Sequence, residues 1–332
     1  MTTDVQKSLQ YYSMGMDLLK EEEPHKARRY FAKSAKLGYD QAMVQLARYY
    51  NLEDSKDFCP KKGFRYFLAA AELGNVTGMV GTGMSYMLGK GTEQDYSQAE
   101  YWLREAASNG DALAYCCLGQ IYEDESYAGH SYDEAVGFYR KSIEGGNTIA
   151  MNRLAEMYLS GDRVERSEQE AFDLFTRSAQ LGDSDGQYGL ARMHHDENGA
   201  FHSDERAVEC LTRAAEGGNS YAQYTLGMLY VQGDLVEPNI LEGVNWLFAA
   251  TRQNNPDALY MLGSLLHEGT IGMGGQKKSE SKDIGMGMIM MAADLGQSDA
   301  IGYLESEAEK GNESAKDYLK DAKKSKHTRA DS

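Results

Sequence analysis

Proline is scarce in this chain, four residues in 332, while glycine is abundant at 35. That mixture suits a long helical protein only if the glycines fall at regular points between helices. Cysteine is sparse too. Cys59, Cys116, Cys117 and Cys210 contain no Cys-x-x-Cys and no obvious pairing scheme, which fits a reducing, cytoplasmic setting. Cations are in deficit: 34 Lys and Arg against 51 Asp and Glu leave a net charge of −17. Nucleic-acid binding rests on clustered cations, so that partner class is excluded, and a basic protein or peptide is easier to accommodate. No apolar run approaches the ~20 residues of a membrane helix, and the mean hydropathy is −0.58. No membrane partner is expected. The opening MTTDVQKSLQYY has neither the basic nor the apolar segment of a signal peptide.

What is present is a ruler of 36 residues. Small residues recur at Ala42, Gly78, Ala114, Ala150, Gly186, Ala222 and Ala258. Four, five and eight positions after each start come a leucine column (Thr82 excepted), a second small column from Ala47 to Gly263, and a tyrosine column. The last reads Tyr50, Tyr86, Tyr122, Tyr158, His194, Tyr230 and Leu266. Offsets 0, 4, 5 and 8 share one face of an α-helix, so two small residues there let a neighbouring helix approach.

A second helix follows in each unit. Asp95, Ser131, Ser167, Ser203 and Asn239 are N-cap types at the same spacing. Gln98, Glu134, Glu170 and Glu242 complete capping-box patterns, and Arg206 does not. Pro24 and Pro60 mark first turns in the two earliest units. Gly38, Gly74, Gly110, Gly146, Gly182, Gly218 and Asn254 end these helices in the left-handed conformation that Gly and Asn tolerate best. The first unit has a loop four residues shorter, and the last full unit carries six extra residues around 269–281. Residues 300–324 read as two shortened capping helices around Gly311-Asn312. The single array is expected to run over 1–323, with a disordered basic tail over 324–332; residues 316–332 carry +3 and residues 1–315 carry −20.

A helical hairpin of this kind cannot bury its apolar face alone, and stacking solves that. The expected fold is all-α, a right-handed α/α solenoid of about eight helix-turn-helix repeats of 36 residues. The strings AQYTLGMLYVQGD (222–234) and DYSQAEYWLREAASNGDA (95–112) resemble the Sel-one-like repeat (SLR) family, related to tetratricopeptide repeats, over roughly residues 10–320. The resemblance implies an adaptor that assembles complexes, regulates signalling or presents substrates. Some secreted bacterial relatives carry a disulfide per unit, and this chain lacks those cysteine pairs.

Catalytic and cofactor motifs do not emerge, so no enzyme, no cofactor and no small-molecule substrate is expected. The densest metal-capable set is His194, His195, His202 and Cys210, which supports an alternative reading as a metal-dependent hydrolase or metal sensor. Adjacent histidines on a helix point about 100° apart, and the spacing matches no usual zinc pattern. The 269–278 segment GTIGMGGQKK lacks the Gly-Lys-Ser/Thr ending of a phosphate loop. Met273, Met286, Met288, Met290 and Met291 read mostly as core packing. The acidic runs 21–23, 123–125 and 196–197 read as solvated loops.

First helices are expected to line a concave groove. Offsets 2, 6 and 9 then face a partner, and in the C-terminal half they place Tyr188, Arg192, His195, Tyr224, Met228, Tyr260 and His267 along it. Tyr, Arg and Met are enriched where interfaces gain most energy. These seven are the expected partner-binding residues of an interaction scaffold. The same tyrosines also suit packing between neighbouring units, and a third reading is a self-assembling solenoid.

Overall fold

The computed structural model describes residues 3–330 apart from 54, 162–163 and 273–276. Among the described residues there are eighteen helices and no strand. The chain forms two compact units, Met1–Ser167 and Glu168–Ser332.

The first unit holds α1 (Asp4–Lys20), α2 (Pro24–Lys36), α3 (Asp40–Tyr50), α4 (Pro60–Glu72), α5 (Val76–Leu88), α6 (Tyr96–Ser108), α7 (Ala112–Glu123), α8 (Tyr132–Glu144) and α9 (Thr148–Ser160). Each helix packs on the one before and the one after, most extensively in α1–α2, α5–α6 and α7–α8, and α4 packs equally on α3 and α5. The small-residue columns explain the closeness. A Cβ on Gly119 would lie 2.5 Å from the Tyr139 ring, so α7 and α8 meet only because that position is glycine. Tyr139 is thereby fully buried, and its hydroxyl donates to Glu123 Oε2 at 2.6 Å.

The second unit holds α10 (Glu168–Gln180), α11 (Ser184–His195), α12 (Asp204–Glu216), α13 (Ser220–Gln232), α14 (Ile240–Thr251), α15 (Pro256–Glu268), α16 (Lys278–Asp294), α17 (Ser298–Glu309) and α18 (Glu313–Ala330). Its tight hairpins are α11–α12, α13–α14 and α15–α16. At the α13–α14 crossing two glycines face each other. A Cβ on Gly227 would sit 2.9 Å from the Gly243 carbonyl, and one on Gly243 2.7 Å from the Gly227 carbonyl. The two backbones touch.

Punctuation follows the 36-residue spacing. Gly38, Gly74, Gly110, Gly146, Gly182 and Gly218 have φ between +79° and +91°, and Asn254 has +56°. Asp95, Ser131, Ser203 and Asn239 each accept a hydrogen bond from the backbone N–H three residues on. The structure adds a second cap column that the sequence reading passed over. Asn75, Asp111, Asn147, Asp183, Asn219 and Asn255 cap the first helices of their repeats, with bonds of 2.7–2.9 Å. Part of the extra length near residue 275 goes into α16, which has 17 residues where most helices have 13. Gly285 and Gly287 lie inside this helix. Met286 is buried and Met288 and Met290 pack on the surrounding core, whereas Met291 is exposed and Met273 lies outside the described residues. Two helices, α17 and α18, flank Gly311-Asn312, and the backbone of α18 runs to Ala330.

Candidate functional site

The sequence of α11 decides what its surface presents. Asp183 caps its start, and Gly186, Gly189, Leu190 and Ala191 turn inward. A Cβ at Gly189 would lie 2.4 Å from Phe175, so α11 sits directly against α10. Tyr188, Arg192 and His195, at i, i+4 and i+7, therefore share another face. Beside that face, Ala207, Val208 and Leu211 come from α12, and Thr225 and Leu229 come from α13. With Leu235 from the loop after α13 they enclose a cavity of ≈ 190 Å³. Apart from Arg192, His195, the Tyr188 hydroxyl and the Thr225 hydroxyl, the lining is hydrocarbon. A concave apolar space with a few polar groups at its edge is what a binding pocket requires.

Tyr188 is half-buried and stacks on Tyr221, with ring centroids 6.2 Å apart and 23° between planes. The Arg192 guanidinium lies 6.0 Å from the Tyr188 ring centroid. That contact holds the cation over the aromatic face. His195 is exposed. Three of the seven expected partner-binding residues thus meet at one cavity.

The other four are placed differently. Tyr224 packs half-buried against the cluster around Leu247, Ala258 and Leu262. Burial, with Asp257 and Asp299 nearby, pushes its hydroxyl pKa up. Met228 is half-buried on α13 and lines no part of the cavity. Tyr260 meets the Tyr303 ring of α17 edge-on at 6.1 Å. The His267 Nδ1–H donates to the Lys282 carbonyl at 3.1 Å, and its Nε2 lies 3.4 Å from Glu307 Oε2. Tyr260 and His267 bind α15 to α16 and α17, a contact made inside the fold.

The histidine cluster does not converge. His194 is 4% exposed, packs edge-on against Phe172, and donates from Nδ1 to the Phe201 carbonyl at 2.6 Å. His202 Nε2 lies 3.9 Å from Asp204 Oδ1. Cys210 is half-buried, and burial raises its thiol pKa. Among the described residues no three His, Cys, Asp or Glu side chains are arranged to hold a metal ion. Nor is any described helix long and apolar enough to cross a membrane.

Sequence reasoning missed the aliphatic half of the pocket. Val208, Leu211 and Leu229 look like core, and Leu235 looks like a loop residue. The repeat register gave no signal either, because the position of Leu235 is held by Ser55, Gly91, Tyr127, Arg163, Gly199 and Ile271 in other repeats.

The Sel1 repeat family model matches eight consecutive segments, 10–39, 40–75, 77–111, 112–147, 148–183, 184–219, 220–255 and 256–282. The chain is a Sel1-repeat protein. A Sel1 repeat protein from Oxalobacter formigenes is similar in structure, with a TM-score of 0.61 at 25% identity over 90% of this chain and 86% of the other. The protective antigen c5321 of uropathogenic Escherichia coli, which displays an SLR fold, gives 0.53 at 26% identity over 89% of this chain and 62% of its own. Yeast Tom70, at 16% identity and a TM-score of 0.54 over 95% of this chain and 65% of its own, shares the fold. No curated protein matches the chain in sequence. The family agrees with the geometry: an all-α repeat protein of the kind that generally serves in protein–protein interaction.

Proposed function

We propose that this Sel1-repeat protein is a non-catalytic interaction scaffold whose second unit holds an apolar side chain of a protein or peptide partner. The observation that carries the reading is the α11–α12–α13 cavity, apolar inside and edged by Tyr188, Arg192 and His195. An aromatic ring and a guanidinium beside an apolar recess are the residue types that dominate interface energetics. Nothing is transferred and no bond is broken; shape and desolvation supply the affinity. The net charge of −17 favours a basic partner surface around the anchored residue, through an effect on association rate that fades with salt.

The test separates pocket from packing. Affinity capture from lysate is run with wild type, Tyr188→Ala and Tyr260→Ala, after circular dichroism has shown all three folded. A partner held by wild type and by Tyr260→Ala, but weakened by about 1–2 kcal/mol or more in Tyr188→Ala, supports the pocket. Equal capture by all three places the contact elsewhere.

A further inference from the structure

The strap from Gly233 to Asn239 is fixed at both ends and strained in the middle. Gly233 closes α13 with its N–H donating to the Leu229 carbonyl at 2.8 Å, in the left-handed conformation at φ +75°. At the other end the Asn239 N–H donates to the Tyr230 carbonyl, also at 2.8 Å. Between them the Val236 N–H reaches back two residues to the Asp234 carbonyl at 2.7 Å, with Leu235 at φ +58°. A bond from i+2 to i around a residue of positive φ is the rare, strained form of the γ-turn. Leucine is an unusual occupant, because its Cβ is crowded there. The equivalent position four repeats earlier, Gly91, has φ +83° and carries no Cβ. The other equivalents among the described residues are Ser55, Tyr127, Gly199 and Ile271, and none of them has positive φ.

The strain has a visible product. Leu235 lines the pocket together with Leu211 and Leu229 while remaining 38% exposed, so its side chain is a part of the cavity wall that solvent also reaches. A glycine would satisfy this backbone at lower cost and leave that wall open. We propose that Leu235 is a built-in plug: the strap presses an aliphatic side chain of the chain itself against the site, and an incoming apolar group enters by displacing it. Release of the turn returns the stored strain, which offsets part of the burial that Leu235 gives up. The pocket's apparent affinity is then set by the fraction of molecules with the strap withdrawn. This inference rests on the pocket being the binding site proposed above.

Benzene is the probe, since apolar cavities lined by aliphatic side chains take it up. It is titrated into the full chain carrying 13C-methyl leucine, in wild type, Leu235→Gly and Leu235→Ala. The expected result is that the Leu211 and Leu229 methyl signals shift in all three, with both variants binding about fivefold or more tighter than wild type. Leu235 itself should move in the wild type. If Leu211 and Leu229 respond but both variants bind no tighter than wild type, the plug is refuted while the pocket stands. If neither methyl responds in any of the three proteins up to benzene saturation, the pocket does not admit an apolar group and both proposals fall.

Discussion

The two units follow one 36-residue spacing yet put opposite chemistry on it. In the first unit, the loop position of Tyr127 is the register equivalent of Leu235 in the second. The Tyr127 hydroxyl donates to Glu100, which also accepts from Tyr122 at 2.7 Å and from Arg104 at 2.6 Å. Nearby, Tyr96 donates to Asp124. The adjoining cavity, ≈ 530 Å³, sets Glu123, Asp124, Arg153 and two glutamines beside Met87, Leu88 and Tyr96. In the second unit the same loop position delivers a leucine to a hydrocarbon recess. One repeat position therefore joins a polar network in one place and the wall of an apolar pocket in the other. Repeat spacing governs backbone path, and the side chain at a loop position differs in what it touches.

Breaking the polar side should have the largest effect. Tyr127→Phe removes a donor to a charged acceptor, and is expected to cost about 1.5–3 kcal/mol of first-unit stability, read by hydrogen exchange of α6–α8. Exchange in α12–α14 serves as the internal reference and should not change. A uniform loss in both units would show that the network is not local.

Acid should sharpen the same contrast. Burial works to raise the Glu100 pKa, but the hydrogen bonds from Tyr127, Tyr122 and Arg104, with the Arg104 charge, outweigh it and hold the carboxyl below its ordinary value. A folded-state pKa below the unfolded one contributes stability above the unfolded pKa, and that stability is lost as pH falls through the folded value. First-unit protection should therefore drop below about pH 4.5, and the drop should be smaller in Glu100→Gln. An acid profile unaltered by that substitution would remove Glu100 from the account.

The smallest effect is a repair. The first unit joins repeats through Asn75, whose amide donates to Asp40 at 2.6 Å, and the second through Asn219, which donates to Asp185 at 2.7 Å. The Asn255 amide nitrogen, on a residue 3% exposed, has no hydrogen-bond partner among the described residues. Ser220 stands at the register position of Asp40. Ser220→Asp should supply the missing acceptor and raise second-unit stability by about 0.5–1.5 kcal/mol, measured by urea unfolding. A neutral or negative change would mean that the amide is satisfied by water.

Much of this protein is legible in the chain. Helix ends, the Gly and Asn254 left-handed caps, and the small residues that permit close crossings are set within a turn or two of sequence, where local sterics and capping dominate. The surroundings of the tyrosine column were legible only in part. Tyr188, Tyr224 and Tyr260 occupy one repeat position and look equivalent, yet Tyr188 edges a cavity while Tyr260 packs on Tyr303. The run 123–125 reads as solvated loop, but Glu123 and Asp124 accept from Tyr139 and Tyr96, 16 and 28 residues away.

Sequence by itself determined the repeat, its helices and its punctuation, because periodic apolar faces and cap residues act over short distances. Only the tertiary structure decided that Leu235 would line one cavity with Leu211 and Leu229, and that His194 would be bound to the Phe201 carbonyl. Burial is a property of neighbours, and a loop residue acquires its neighbours when the repeats stack.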